Sequence, residues 1–328
     1  MINFRYCLLL LLVLLGLTSI VSIGTGAVTI SPAKVIDALT GTGTSNQIFI
    51  IKEYRLPRIV LAILTGAGLA VSGAVLQGII RNPLASPDVI GITKGAGLAA
   101  AIVLFIFPKA PAVVLPLAAF AGAMVVAAVL FFFVYRRDVS PSTLALVGIA
   151  LGVICQAGIQ YLMVKNPIDV NSALIWLTGS LWGRGWKEVI AVLPWLLIFL
   201  PITFLLAKKV DILSLGDDVA RGLGANVIRL RMILLAVSVA LAAGCVAVIG
   251  SIGFVGLLCP HLARQLVGAS YRKVLPVSAL LGAFLVLLAD TLSRGVIPPL
   301  EIPAGIATSI LGAPYFLYLL SKERKRVG

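Results

Sequence analysis

Charge is what this sequence has least of. Only 12% of its 328 residues are Asp, Glu, Lys or Arg, and His261 is the single histidine. A mean hydropathy of +1.13 with 60% hydrophobic residues exceeds what a soluble core can bury, which excludes an ordinary soluble enzyme or binding module. Cysteine is scarce: Cys7, Cys155, Cys245 and Cys259 lack CxxC spacing, which argues against metal or disulfide roles and makes them small apolar fillers. The chain has no GxxxxGK[ST] phosphate loop with which to hold ATP. One histidine and scattered carboxylates supply no catalytic constellation. The deep ionisable groups that an ion-driven carrier needs are almost missing from the apolar stretches.

Long apolar segments are what the chain does have. At about 20 residues per crossing, ten candidate spans run over residues 6–23, 59–80, 95–107, 115–135, 143–164, 189–207, 232–249, 252–267, 275–292 and 302–320. The third and eighth are short or glycine-interrupted. The expected fold class is therefore an all-α polytopic membrane protein, one transmembrane domain over residues 1–328. Met1 to Tyr6 and the leucine-rich run from Cys7 to Leu17 resemble a signal peptide, but the apolar character continues past the usual length, so an uncleaved first helix is expected.

Basic residues outnumber acidic ones 26 to 12, for a net charge of +14. With the N-terminus inside, 17 of the 26 fall on the inner side, Arg81, Lys94, Lys208, Lys209, Arg229 and Arg231 among them; both termini are then expected in the cytoplasm. The excess charge reads as topology and contact with anionic lipid, not as nucleic-acid binding, and Lys208, Lys209, Arg229 and Arg231 are expected at headgroups.

Residues 55–97 are the most informative stretch. Ala62, Gly66, Ala70, Ala74 and Gly78 recur every four residues and form one smooth helical stripe for close packing, with Gln77 beside it. A second segment, 211–224, places Gly216 and Gly224 around a short amphipathic helix, with Asp217 and Asp218 suited to its N-terminus. Gln156 and Gln160 share one face of the fifth span, which suits either a loosely lined passage or interhelical hydrogen bonding. Trp176, Trp182 and Trp186 read as interfacial anchors. His261, between Pro260 and Arg264, reads as a structural cap or a contact of cytoplasmic loops.

Three blocks carry a family resemblance. Arg55-Leu-Pro-Arg58 with Gly73, Gln77 and residues 81–87 (RNPLASP) is the first, residues 252–264 (IGFVGLLCPHLAR) the second, and residues 301–305 (EIPAG) through Gly312-Ala-Pro314 the third. In this order they resemble the FecCD family of ABC-importer permeases, which move ferric siderophores, haem and vitamin B12. The resemblance implies a type II importer fold with an inverted internal repeat. It implies two copies of an ATP-binding subunit that hold ATP and Mg, a second FecCD-type permease, an extracytoplasmic substrate-binding protein, and no cofactor on this chain. It implies that residues 208–228 are a cytoplasmic coupling segment, with Leu215, Gly216, Asp217, Asp218, Ala220, Arg221 and Gly224 facing the ATPase. Arg55, Arg58 and Arg294 match arginines that grip the binding protein; interfacial snorkelling, or an i,i+4 pair of Arg294 with Asp290, is the other reading. Gln77, Gln156 and Gln160 are expected along the translocation path. Residues 53–58, 82–88 and 169–171 with 177–184 look most like the FecD-type subunit of ferric citrate importers, which pairs with a non-identical permease in the bacterial inner or plasma membrane.

Overall fold

The computed structural model describes residues 3–26, 28–137, 140–168, 170–296 and 300–327. Met1 of the basic start and Asp169 of the 169–171 motif lie outside them, as do the side chains of Arg136, Arg137, Lys322, Arg324, Lys325 and Arg326 that enter the orientation count. Among the described residues every regular element is helical. The chain runs through α1 (Phe4–Gly24), α2 (Pro32–Thr40), α3 (Ser45–Phe49), a π-helical turn (Ile50–Arg55), α4 (Leu56–Ile80), α5 (Ile92–Ile106), α6 (Val114–Arg137) and α7 (Pro141–Lys165). It continues through α8 (Val170–Leu177), α9 (Trp186–Leu205), α10 (Ala207–Ser214), α11 (Asp217–Gly222), α12 (Val227–Ile249), α13 (Val255–Val267), α14 (Tyr271–Gly295) and α15 (Ala304–Val327).

Each of the ten expected spans is occupied by a helix, and seven helical segments are long and apolar enough to cross a bilayer unaided. Of the other three, α5 has 15 residues and α13 has 13, while α15 runs over 24 residues with its charged end in the last turns. The second span starts earlier than its hydropathy suggests, since helical structure is continuous over Ser45–Ile80. Pro57 supplies no N–H and crowds the preceding turn, and the π-helical turn just before it takes up that mismatch.

Burial separates centre from periphery. The apolar windows of α4 and α12 are 78% and 83% buried, against 17% for α1. The small-residue stripe explains the central place of α4. Gly66 meets the backbone of Gly282 on α14, Gly73 meets Gly256 on α13, and Gly78 faces Val210 and Tyr271. Ser72 and Ser238 tie α4 to α12 through a hydroxyl contact of 2.8 Å and reciprocal bonds to each other's carbonyls. A Cβ on Gly73 would fall well inside the Gly256 carbonyl, and backbone cannot swing aside. Gly73→Val is therefore expected to destabilise by about 3 kcal/mol or more, read as a lowered thermal midpoint in detergent; an unchanged midpoint would show that α4 and α13 separate freely.

Trp176 departs from its expected interfacial place. It is buried, and its carbonyl lies where Gly250 (φ 78°) approaches too closely for any side chain, whereas Trp182 and, to a lesser degree, Trp186 are exposed. Trp186 is half-anchored by donating Nε1–H to the Lys52 carbonyl at 2.9 Å.

Candidate functional site

Three polar regions interrupt the apolar bundle. The first lies where α4 begins and α14 ends. Arg58 reaches Asp290 through Nη2 at 2.8 Å and Nε at 3.0 Å, and Glu301 through Nη1 at 2.7 Å. Arg294 approaches the other oxygen of Asp290 at 3.2 Å, one helical turn on, and donates to Ser22 and to the Thr25 carbonyl at the end of α1. Arg55 caps the same end of α1 by donating to the carbonyls of Ile23 and Val28. Asp290 is fully buried, and Arg55, Arg58 and Arg294 are 6%, 9% and 3% exposed. The guanidiniums of Arg58 and Arg294 and the two carboxylates thus balance inside a low-dielectric wall, where an unpaired charge is strongly disfavoured.

The second region lies at the opposite ends of α4 and α14. Gly216 (φ 113°) turns the chain into α11, and Gly224 (φ 78°) turns it out. Asp217, the first residue of α11, accepts from Nη2 of the fully buried Arg231 at 2.9 and 3.0 Å and pairs with Arg81 at 3.2 Å. Arg81 ends α4 in the left-handed conformation (φ 54°), which aims it at this turn. Asp211 on α10 accepts the Tyr271 backbone N–H at 2.8 Å, doing for α14 what its own N-cap residue, Ser270, does not. Gln77 accepts from Arg264 and donates to the Leu257 carbonyl, locking α4 to α13. Leu215, Val219 and Leu223, four residues apart, stay exposed on the outer side of this segment.

The third region is a cavity of ≈ 1060 Å³ bounded by the 82–90 turn, the start of α13 and α15. A second cavity of ≈ 390 Å³ carries Gln156 and Gln160 of α7, and both have Lys94, Leu177, Thr178 and Ser251 in their walls.

The FecCD transport family matches residues 11–322, almost the whole chain and all three polar regions. This chain belongs to the FecCD transport family. It is 59% identical to the Fe(3+)-citrate import system permease protein YfmE of Bacillus subtilis (strain 168), over 97% of this chain and 96% of that protein. It is 46% identical to the Fe(3+) dicitrate transport system permease protein FecD of Escherichia coli (strain K12), over 84% of this chain and 86% of that one. A solved chain assigned to the metal-chelate type of ABC transporter, in an inward-facing conformation, superimposes with a TM-score of 0.86 at 33% identity, covering 98% of this chain and 100% of that one. The protein is thus a multi-pass membrane permease of the ABC-importer kind.

Within this FecCD fold, several expected residues take other places. Arg55, Arg58 and Arg294 are buried and turn guanidinium donors to acceptors within the chain, because α1, α14 and the approach to α15 bring acceptors to them. The i,i+4 pairing of Arg294 with Asp290 is present. Gln77 is 3% exposed and serves as an interhelical clamp, so it does not line either cavity, whereas Gln156 and Gln160 do line one. Ala220 is fully buried, so the exposed apolar positions of the 208–228 segment are Leu215, Val219 and Leu223; their i, i+4, i+8 spacing was the available signal. Arg231 sits inside the protein instead of at lipid headgroups. His261 is not a cap: it lies within α13 and contacts Gln265 at 2.9 Å. No group of three or more His, Cys, Asp or Glu suited to a metal occurs among the described residues. Arg184, in the loop before α9, has its pKa drawn below the ordinary guanidinium value by burial, with nearby Glu188 opposing the shift.

Proposed function

We propose that this permease carries a ferric siderophore complex, iron(III) dicitrate first among them, into the cytoplasm. The observation that carries this reading is the 59% identity, over nearly the full length of both chains, to a permease of an Fe(3+)-citrate import system. The working assembly in this reading holds a second, non-identical permease of the same fold, two copies of an ATPase that bind ATP and Mg, and an external binding protein. The 208–228 segment faces the cytoplasm, as do both termini. Its exposed Leu215, Val219 and Leu223 enter a groove of the ATPase, an amphipathic-helix mode of docking. Asp217, Asp218, Arg221 and the glycines Gly216 and Gly224 set its shape. The binding protein docks on the end where Arg55, Arg58 and Arg294 hold α1, α4 and α14 together. The arginines act there by fixing the surface, since their guanidiniums are committed inward.

The test is ATP-driven uptake into proteoliposomes by the complete assembly, offered radiolabelled ferric citrate, a ferric hydroxamate, a ferric catecholate, haem and cobalamin in separate vesicles. Ferric citrate alone is expected to accumulate. Uptake of haem or cobalamin instead would move the cargo to another branch of the family, and ion-driven uptake by this chain without an ATPase would end the importer reading.

A further inference from the structure

We propose that Lys94 is the contact through which this permease engages its cargo as an anion, and that Asp88 keeps that contact weak enough to release it. The inference rests on the reading of the chain as a ferric-complex permease and adds the charge that the cargo must carry. Lys94 lies in the first turns of α5, and its stem lies along Gly152 of α7, where even a methyl group would come within 3.9 Å of Lys94 Cγ. That course brings it into the walls of both cavities. Among the described residues lining the two cavities, Lys94 and Asp88 are the only charged ones.

The rest of the lining near Lys94 offers neutral partners, two in the smaller cavity alone and two shared by both. Gln156 and Gln160 follow Gly152 one and two turns along α7, and Thr178 and Ser251 complete the polar side. A ferric ion held by several carboxylates bears net negative charge, and in a largely apolar passage a single ammonium is the group that lowers the barrier to its entry. Asp88 stands 3.7 Å from Nζ and also accepts the Thr93 hydroxyl at 2.7 Å, so it is held in place while partly neutralising the lysine. An incoming anion therefore competes with Asp88 for the ammonium. A passage needs binding that is favourable but brief, and this pairing supplies that compromise.

The experiment is ferric citrate uptake by the reconstituted assembly, expressed as cargo imported per ATP hydrolysed, for Lys94→Arg, Lys94→Gln and Lys94→Glu. A folding or assembly defect removes uptake and stimulated hydrolysis together and leaves that ratio unmoved. Lys94→Gln is expected to lower the ratio about tenfold and Lys94→Glu further, with Lys94→Arg within about twofold of the parent. A ratio for Lys94→Glu equal to the parent's would overturn the assignment. Should the Lys94 variants not assemble, Asp88→Asn decides the matter. It keeps an acceptor for Thr93 while freeing the lysine, and the solubilised assembly is expected to retain ferric citrate several-fold longer; unchanged or shorter retention refutes the proposal. If the parent imports a ferric complex other than citrate, the citrate reading fails by itself. The Lys94 assignment then stands if that complex is anionic and shows the same loss with Lys94→Glu, and falls if it is neutral or cationic.

Discussion

Replacing Asp290 by Leu is expected to destabilise the permease by about 3–5 kcal/mol, enough to remove most folded protein from the membrane. The carboxylate is fully buried between Arg58 and Arg294 and pairs with both, so its loss leaves two guanidiniums side by side with only the partly exposed Glu301 to balance them. Asp290→Asn keeps the shape and some acceptor capacity but not the charge, and is expected to fall between. The informative partner is the triple variant Arg58→Met, Asp290→Leu, Arg294→Met. Buried ion pairs replaced together by apolar groups of similar volume are often neutral in stability, so the triple variant is expected to regain most of what the single variant loses. Thermal midpoints of the purified chain in one detergent read this directly, and a triple variant no better than Asp290→Leu would show that the cluster is not a self-contained unit. Charge reversal by Arg55→Glu with Arg58→Glu, which an open docking fork would survive, instead sets a new carboxylate against Asp290 and Glu301 and empties the cap on α1. Its first expected effect is failure of the chain to fold, ahead of any change in binding-protein affinity.

What the sequence discloses and what it hides divide along the range of the interactions. The four-residue spacing of Ala62, Gly66, Ala70, Ala74 and Gly78 is a local property of one helix, and it correctly marks α4 as the element that others approach closely. Gly216, Asp217 and Gly224 likewise announce a short helix, because positive-φ turns and an acidic first turn are written in neighbouring residues. Partner choice is not local. Nothing near Arg58 shows that its acceptor lies 232 positions away, or that Arg231, which counting rules send to the headgroups, reaches back 14 residues to Asp217. Hydropathy also misplaces the beginning of the second span, since the polar residues Lys52, Glu53 and Arg55 lie on a π-helical turn that continues the helix outward. Trp176 shows the same limit: its composition suits an interface, but Gly250 and Gly179 let backbone close over it.

Asp217→Ala is expected to separate ATP hydrolysis from transport, lowering cargo imported per ATP by about tenfold or more, while the ATPase still co-purifies. The carboxylate lies between Arg81, which terminates α4, and Arg231, which roots α12, so one side chain fixes the coupling segment to the two most buried helices of the bundle. Asp211 adds a third attachment by capping α14. The exposed Leu215, Val219 and Leu223 are a different surface of the same segment, and in the proposed docking they meet the ATPase whether or not Asp217 is present. Docking and transmission therefore depend on different residues. In the proposed coupling, displacement of the segment by the ATPase reaches α4 and α12 through the Asp217 contacts beside the apolar packing of Val210 against Gly78, and without Asp217 two guanidiniums face each other where a bridge had been. Asp218 is the natural comparison, because it is fully exposed and meets Arg221 at 3.6 Å, a surface pair that water and salt screen. Asp218→Ala is expected to change the ratio by a few-fold at most. Equal effects of the two substitutions, or loss of ATPase co-purification with Asp217→Ala, would place the carboxylate in docking and leave transmission to the helix backbone.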